Sequence, residues 1–498
     1  MKKIISKGYK GIAYIAIIIT FILVNFFNIS ETISKKGIYI LLLGMVYMLI
    51  VIIINKFIIN KLKANYIKVI IGILLFVFLI LEILSVYYFR VEYNWDFKWI
   101  MDTAKQVVDV GCMEPSNLKY FKVFPNNIPI LGIVIISMRL FFNNEIGAYI
   151  LNIMAVWISA ILGVIVAYKI KDEKLALNTI LLMILCCPFY LYSPIIYTDT
   201  MAVMFPVLTL LLWILFKENK QKENRKKQYI CWILMTICSI IAFWIKPVAA
   251  IILIAIIIDS IFTYGKNLKF IIITCIIFIL MNLVYNNVIT KFVIKDVKNN
   301  DIVYPYTHWV MMGLNKPKDQ GGTSVGWGGY SYEDSVLTET QPTYDEKVQV
   351  NLKIIKERIL DFGLKGYIEF LKNKFIYVWE DPTFYVLEQI GWGTLNTYSL
   401  PYKYVIGVKS EQVFIPYTSI YYTMLVFLIL IGIIYDIRKA KDQNIRIIGI
   451  SIVGIAIFLL IWEARSRYIY FLIPIFCIMA ANGARALSQI KYKGNKKE

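Results

Sequence analysis

Apolar runs of about 17 or more residues recur along this chain, and they constrain its fold more than any other feature. A run of that length crosses a hydrocarbon core as a helix, because a helix satisfies its own backbone hydrogen bonds where no water is available. With 59% of the 498 residues hydrophobic, 17% charged and a mean hydropathy of +0.65, no soluble globular class fits. The chain reads as an all-α polytopic membrane protein. Spans are expected at about 11–28, 38–54, 67–89, 147–168, 175–197, 200–216, 229–245, 248–264, 269–288, 413–435, 446–462 and 468–484, about twelve in all.

The formal net charge of +20 can suit a nucleic acid, yet the lysines and arginines lie in short segments between apolar runs. The positive-inside rule produces that pattern, and no nucleic-acid motif accompanies it, so no nucleic-acid partner is expected. The basic connections are the N-terminus, Lys56/Lys61/Lys63/Lys68, Lys169/Lys171/Lys174, Lys217 to Lys227, Lys266/Lys269, Arg438/Lys439/Lys441/Arg446 and the tail from Arg485. Placing them all inside puts both termini in the cytoplasm. The N-terminal Lys2, Lys3, Lys7 and Lys10 before Gly11 to Asn28 resemble a signal sequence, but no small-residue cleavage site follows, so the segment is expected to stay as the first span. Abundant Ile, Lys and Asn suit an AT-rich genome and a bacterial plasma membrane. Six of the seven cysteines lie in apolar runs and only Cys112 in a polar loop, which is neither a disulfide framework nor a metal-ligand spacing.

One run, Ile128 to Phe142, is short for a crossing and holds Pro129 and Arg139. Counted as a span it would turn the basic segment 217–227 outward, so it is expected to lie on, or dip into, the outer leaflet. The organisation is then two N-terminal spans (1–66), a membrane core (67–288) with a first outer loop (90–146), a long outer loop or cap (289–412), and C-terminal spans with a basic tail (413–498). In the cap, Val348, Leu352, Ile355 and Ile359 recur at helical spacing, predicting an amphipathic helix from Tyr344 to about Leu360. Trp379, Phe384, Tyr385 and Trp392 suit a membrane interface. The glycine-rich loop, Gly321-Gly322 through Gly326-Trp327-Gly328-Gly329-Tyr330, lacks the Lys-Ser/Thr end of a phosphate-binding loop.

This topology sends several polar clusters to the outer face. Asp96, between Trp95 and Trp99, follows directly on the run Ile67 to Phe89; it is a solvated acid in an aromatic belt, or an acid set to act on a lipid-borne substrate. Asp199, in Tyr197-Thr198-Asp199-Thr200, caps the next helix or faces a site, and the two roles are compatible. Lys246, before Pro247, snorkels to lipid phosphate or holds a substrate phosphate. Arg465 and Arg467, in Glu463-Ala464-Arg465-Ser466-Arg467-Tyr468, oppose the charge rule and suit bidentate phosphate recognition, or else form an ion network with Glu463 that holds the long loop. His308, the only histidine, lies with Trp309 in an aromatic stretch and is either structural or substrate-binding; without a His or Cys partner no standard zinc site is expected. Asp102, Asp109, Glu380 and Asp381 are expected to be solvated, although a divalent cation takes such oxygens.

The order of these features resembles a known family. After Asp96 come "WDFKWIMDTAKQVVDVG", "YFKVFPNNIPILGIVIISMRLFFNNEIGAYILNIMAVWISAILGVIVAYKI" and "CCPFYLYSPIIYTDTMAVMFPVLTLLLWILF". They are similar to membrane glycosyltransferases of the C fold, a group that includes protein O-mannosyltransferases, aminoarabinose transferases and rhizobial lipopolysaccharide-core sugar transferases. The resemblance covers about 90–260 in order and spacing and 460–475 more loosely. Where many members carry Asp-Glu, this chain has Asp96-Phe97, and the spans 11–28 and 38–54 are extra.

What the resemblance implies is an inverting transferase using a polyprenyl-phosphate sugar on the outer face of the plasma membrane, with a protein, teichoic acid or glycolipid as acceptor. Asp96 would be the base, Asp199 an orienting acid, and Lys246, Arg465 and Arg467 the donor-phosphate ligands. Asp102, His308, Trp309, Glu463 and Tyr468 are candidates for further substrate contacts. No cofactor is required, though a divalent cation is compatible. The competing readings are a lipid-linked sugar flippase or other transporter, and a polysaccharide polymerase or ligase. A transporter should carry ionisable groups near mid-span, and here Glu82 and Asp259 sit nearer the ends.

Overall fold

The computed structural model describes residues 2–264, 268–289, 302–317 and 326–489. Gly321 and Gly322 of the glycine-rich loop, and the basic tail beyond Gln489, lie outside them. Among the described residues the secondary structure is helical, with a single isolated bridge between Val91 and Thr394. Ten helices among the described residues are long and apolar enough to cross a membrane: Ser6–Lys36, Ile38–Lys61, Ala64–Phe89, Ile146–Ile170, Thr198–Gln221, Arg225–Ile245, Leu268–Asn287, Ser410–Lys439, Gln443–Ile461 and Ser466–Ser488. The count reaches 11 if Pro115–Val123 and Pro125–Leu140, bent by 103° against each other, form one broken span.

Two of the expected spans are shorter elements. The run 248–264 becomes the apolar helix Pro247–Thr263. The run 175–197 breaks into Glu173–Leu185 and Cys187–Leu191, because Pro188 lacks an N–H and clashes with the preceding turn. A break inside the bundle strands carbonyls, and side chains from three neighbouring spans meet them. Tyr421 donates to Leu182 O (2.8 Å), Tyr417 to Leu185 O (2.7 Å) and Tyr470 to Phe189 O (2.7 Å). Asn152 donates to both Ser193 O (2.8 Å) and Ile195 O (3.0 Å). The irregular stretch 192–197 is thereby held rigidly, and it leads straight into Asp199.

The run read as a leaflet-lying helix forms Ile128–Leu140, but Ile128, Ile130, Leu131, Val134, Ile135 and Met138 are buried. It packs between Trp95–Val110 and Ile146–Ile170 and offers mainly Ile136 and Leu140 outward. Its apolar surface thus serves the protein interior more than the lipid.

The amphipathic helix of the cap starts where predicted, at a capping box in which Glu346 N–H donates to Thr343 Oγ1 (3.3 Å) and Thr343 N–H to Glu346 Oε2 (3.1 Å). It continues beyond Leu360 to Trp379 across a break at Gly363, whose φ of 55° and ψ of 178° favour glycine. The second half docks on the bundle through Phe370, Lys374, Phe375, Val378 and Trp379. Trp379 and Phe384 are core residues rather than interface anchors, while Trp392 is exposed.

One buried amine fastens cap to bundle. Lys374 Nζ donates to Gly313 O (2.5 Å), Trp462 O (2.7 Å) and Leu460 O (3.1 Å), matching three donors to three carbonyls. The last two belong to the C-terminal end of Gln443–Ile461, where a cation also meets the negative end of the helix dipole. Gly328 must be glycine here: its φ is 65°, and a Cβ would stand 2.5 Å from Lys374 Cε and 2.6 Å from Gly313 O.

Candidate functional site

The charged cluster forms where three breaks in apolar helices meet: the turn before Thr198–Gln221, the Lys246-Pro247 turn, and the stretch 462–468 between two spans. Each break comes from local chemistry. Pro247 ends the helix before it. Glu463 N–H and Ala464 N–H are drawn out of the helical ladder by Trp309 O (3.0 Å) and Gly328 O (2.8 Å).

Asp199 is the centre of the cluster, with a side chain 1% exposed. Lys246 Nζ donates to its Oδ1, and Arg467 Nη1 stands 3.7 Å from its Oδ2, an oxygen with no hydrogen-bond partner. One carboxylate therefore faces two cations. Burial pushes the Lys246 amine down, and Asp199 pulls it back up. Lys246 Nζ also lies 4.6 Å from the centre of the Tyr468 ring, and Arg467 stacks 5.3 Å from both Tyr468 and Tyr197. Tyr468 Oη donates to Glu463 Oε2 (2.8 Å), and Arg465 Nε stands 3.8 Å from Glu463 Oε1. The ion network with Glu463 that the sequence offered for this turn is present, and neither arginine Nε makes a hydrogen bond.

Asp96 is tied to the cluster by Tyr197. Its Oδ2 accepts from Tyr197 Oη (2.7 Å) and its Oδ1 from Tyr120 Oη (2.6 Å), while Asn127 Nδ2 donates to Tyr120 Oη (2.7 Å). Burial, then the Asp96 charge, pushes the Tyr197 phenol well up, so it stays a donor. Tyr120 is in turn stacked on Trp99 at 5.1 Å. The two phenols hold the carboxylate still and leave it half-buried at the cluster's edge.

The sequence candidates thus divide. Asp96, Asp199, Lys246, Glu463, Arg465, Arg467 and Tyr468 come together, and Trp309 joins them through its carbonyl. Asp102 is exposed, further along the helix from Asp96. His308 is elsewhere: 1% exposed inside the cap, its Nδ1 is 2.7 Å from Thr338 Oγ1, which donates to Asn351 (3.0 Å). Burial pushes this imidazole down to about 3, so it is neutral and held for packing. Asp381, expected to be solvated, accepts from Ser466 Oγ at 2.5 Å, and one oxygen of Glu380 is buried. Glu82, read as lying near a span end, is fully buried within Ala64–Phe89 with Oε1 3.1 Å from Ser193 Oγ. Among the described residues no group of three or more His, Cys, Asp or Glu side chains could hold a metal ion. Tyr120 and Asn127 were not singled out from sequence, Tyr197 and Ser466 appeared only as neighbours of Asp199 and of the two arginines, and Tyr385 and Asp381 were read as an interface aromatic and a solvated acid.

Residues 1–486 match the model of a family described as conserved hypothetical integral membrane protein. Among solved structures, the chain is similar to ArnT from Cupriavidus metallidurans bound to undecaprenyl phosphate, with 10% identity and a TM-score of 0.36 over 83% of this chain and 78% of that one. No curated protein matches the chain.

Proposed function

We propose that this chain, which belongs to that family of integral membrane proteins, is an inverting glycosyltransferase. It would move a sugar from a polyprenyl-phosphate donor to a hydroxyl acceptor at the outer face of the plasma membrane, with both termini cytoplasmic. The observation that carries the reading is a buried charge balance beside a held acid. Lys246, Arg465 and Arg467 face Asp199 and Glu463, three cations against two anions, within reach of Asp96 through Tyr197. Asp96 takes the acceptor's proton as the acceptor oxygen attacks the anomeric carbon. The bond to phosphate oxygen breaks as the new glycosidic bond forms, and the leaving lipid phosphate gains a negative charge. Arginines and lysine fixed in a dehydrated cluster stabilise that gain more than water does. A lipid-borne donor also accounts for a site built at the ends of spans.

Transport is the second reading, and Glu82 is the observation that favours it, since a buried intramembrane acid with one unpartnered oxygen is often functional. Sugar transfer by membranes holding wild-type protein or Asp96→Asn, with radiolabelled polyprenyl-phosphate sugars, separates the two. Transfer by wild type that is lost in Asp96→Asn, with insertion unchanged, supports the base. Equal transfer by both removes Asp96 from the chemistry. No transfer by wild type, with flipping of the same lipids in liposomes, replaces the transferase reading by transport.

A further inference from the structure

Phe384 and Tyr385 lie in succession in the left-handed region, with φ of 52° and 68°. For bulky residues that conformation is unfavourable and persists only where the surroundings impose it. Asp381 imposes it here. Its Oδ1 accepts from Thr383 N–H (2.8 Å) and Thr383 Oγ1 (2.6 Å), and its Oδ2 from Tyr385 N–H (2.6 Å) and Ser466 Oγ (2.5 Å). Ser466 is the residue between the two arginines. The tight turn delivers Tyr385 onto Arg465: Nη1 donates to Tyr385 Oη at 2.9 Å, and the guanidinium lies 5.2 Å from the ring centre. With Glu463 on its other side at 3.8 Å, Arg465 is oriented by one residue of the cap and one of its own turn.

We propose that Asp381 is a positioning residue, which by folding the turn 381–385 and gripping Ser466 aims the Arg465 guanidinium, so that the long segment 289–412 governs anion binding at the arginine turn. The identity of the anion rests on the transferase reading; the positioning does not. A carboxylate is suited to the task because its two oxygens accept four bonds at once, and an Asn in its place would turn one acceptor into a donor facing a donor.

The test reads Arg465 directly. Purified full-length protein in detergent is treated with phenylglyoxal, which modifies accessible guanidinium groups, and the rates at Arg465 and Arg467 are followed by mass spectrometry. A hydrogen bond to a charged group restrains it enough that Tyr385→Phe is expected to speed modification of Arg465 about tenfold. Asp381→Asn should act alike and Ser466→Ala more weakly, with Arg467 changed by less than about twofold on the same scale. Tyr385→Phe keeps the fold's packing, so the result stands even where Asp381→Asn is poorly folded. An unchanged Arg465 rate in Tyr385→Phe, or equal acceleration of Arg465 and Arg467, overturns the proposal. In transfer assays Tyr385→Phe should lower the maximal rate and kcat/KM alike, by about tenfold, the pattern of an interaction made in the transition state. If wild type transfers no sugar while Arg465 labelling behaves as expected, the transferase reading falls and the positioning stands. The reverse pattern overturns the positioning alone.

Discussion

Asp199 between two cations leads to a prediction in which the second of two damaging substitutions helps. Asp199→Asn removes the one carboxylate that pairs with both Lys246 and Arg467, whose side chains are 7% and 13% exposed. Breaking a buried pair by removing one partner costs about 3–5 kcal/mol, because the remaining charge stays desolvated and unpaired. Lys246→Met alone should cost less, about 1–2 kcal/mol, since Asp199 keeps Arg467 at 3.7 Å and Oδ2 is free to close on it. In the Asp199→Asn background, Lys246→Met removes an unpaired buried cation and should return about 2 kcal/mol. The assay is unfolding of purified protein in mixed micelles by added SDS, followed by tryptophan fluorescence, across wild type, both single variants and the double. The double variant should be more stable than Asp199→Asn alone. If Lys246→Met instead adds its loss to that of Asp199→Asn, the cluster is not organised by charge balance and the argument for an anion site loses its basis.

Further expectations concern the groups around this cluster and the cap. Tyr197→Phe removes one of the two donors on Asp96 and should lower the transfer rate about tenfold while leaving stability within about 1 kcal/mol, as measured by initial rates at saturating donor. His308, held neutral by burial with a value near 3 against 6.5 in the unfolded chain, contributes stability that is complete above about 6.5 and lost as pH falls towards 3. At about 1.4 kcal/mol per unit, the step from pH 6.5 to 5 should cost about 2 kcal/mol, and His308→Gln should flatten that part of the unfolding profile. Lys374→Met leaves the carbonyls of Gly313, Leu460 and Trp462 without their donor, and about 3 kcal/mol or more should be lost, with faster proteolysis of the cap in limited digests.

The membrane class and the gathering of polar turns at one end were legible because both depend on patterns the chain cannot hide. Apolar runs must span or be buried, and charges at their ends must stay where the runs leave them. The broken stretch 175–197 shows the limit: Pro188 was visible, but Tyr417, Tyr421, Tyr470 and Asn152, which satisfy the carbonyls it strands, lie on other spans. His308 looked available because it stood in an aromatic loop, and only its contact with Thr338, some thirty residues on, makes it a packing residue. Asp381 looked solvated for the same reason, since its partner Ser466 is 85 positions away.

Residue order by itself determined that this is a helical multi-pass membrane protein, where most of its spans lie, and that Asp96, Asp199, Lys246 and the 463–468 turn share a face. Local chemistry sets those features: helix length, proline, and the cost of charge in lipid. Only the tertiary structure decided that Asp199 holds two cations at once, that two tyrosines hold Asp96, and that Tyr385 holds Arg465. Those pairings join segments tens to hundreds of residues apart, and a buried charge takes its meaning from whichever partner packing brings within hydrogen-bond reach.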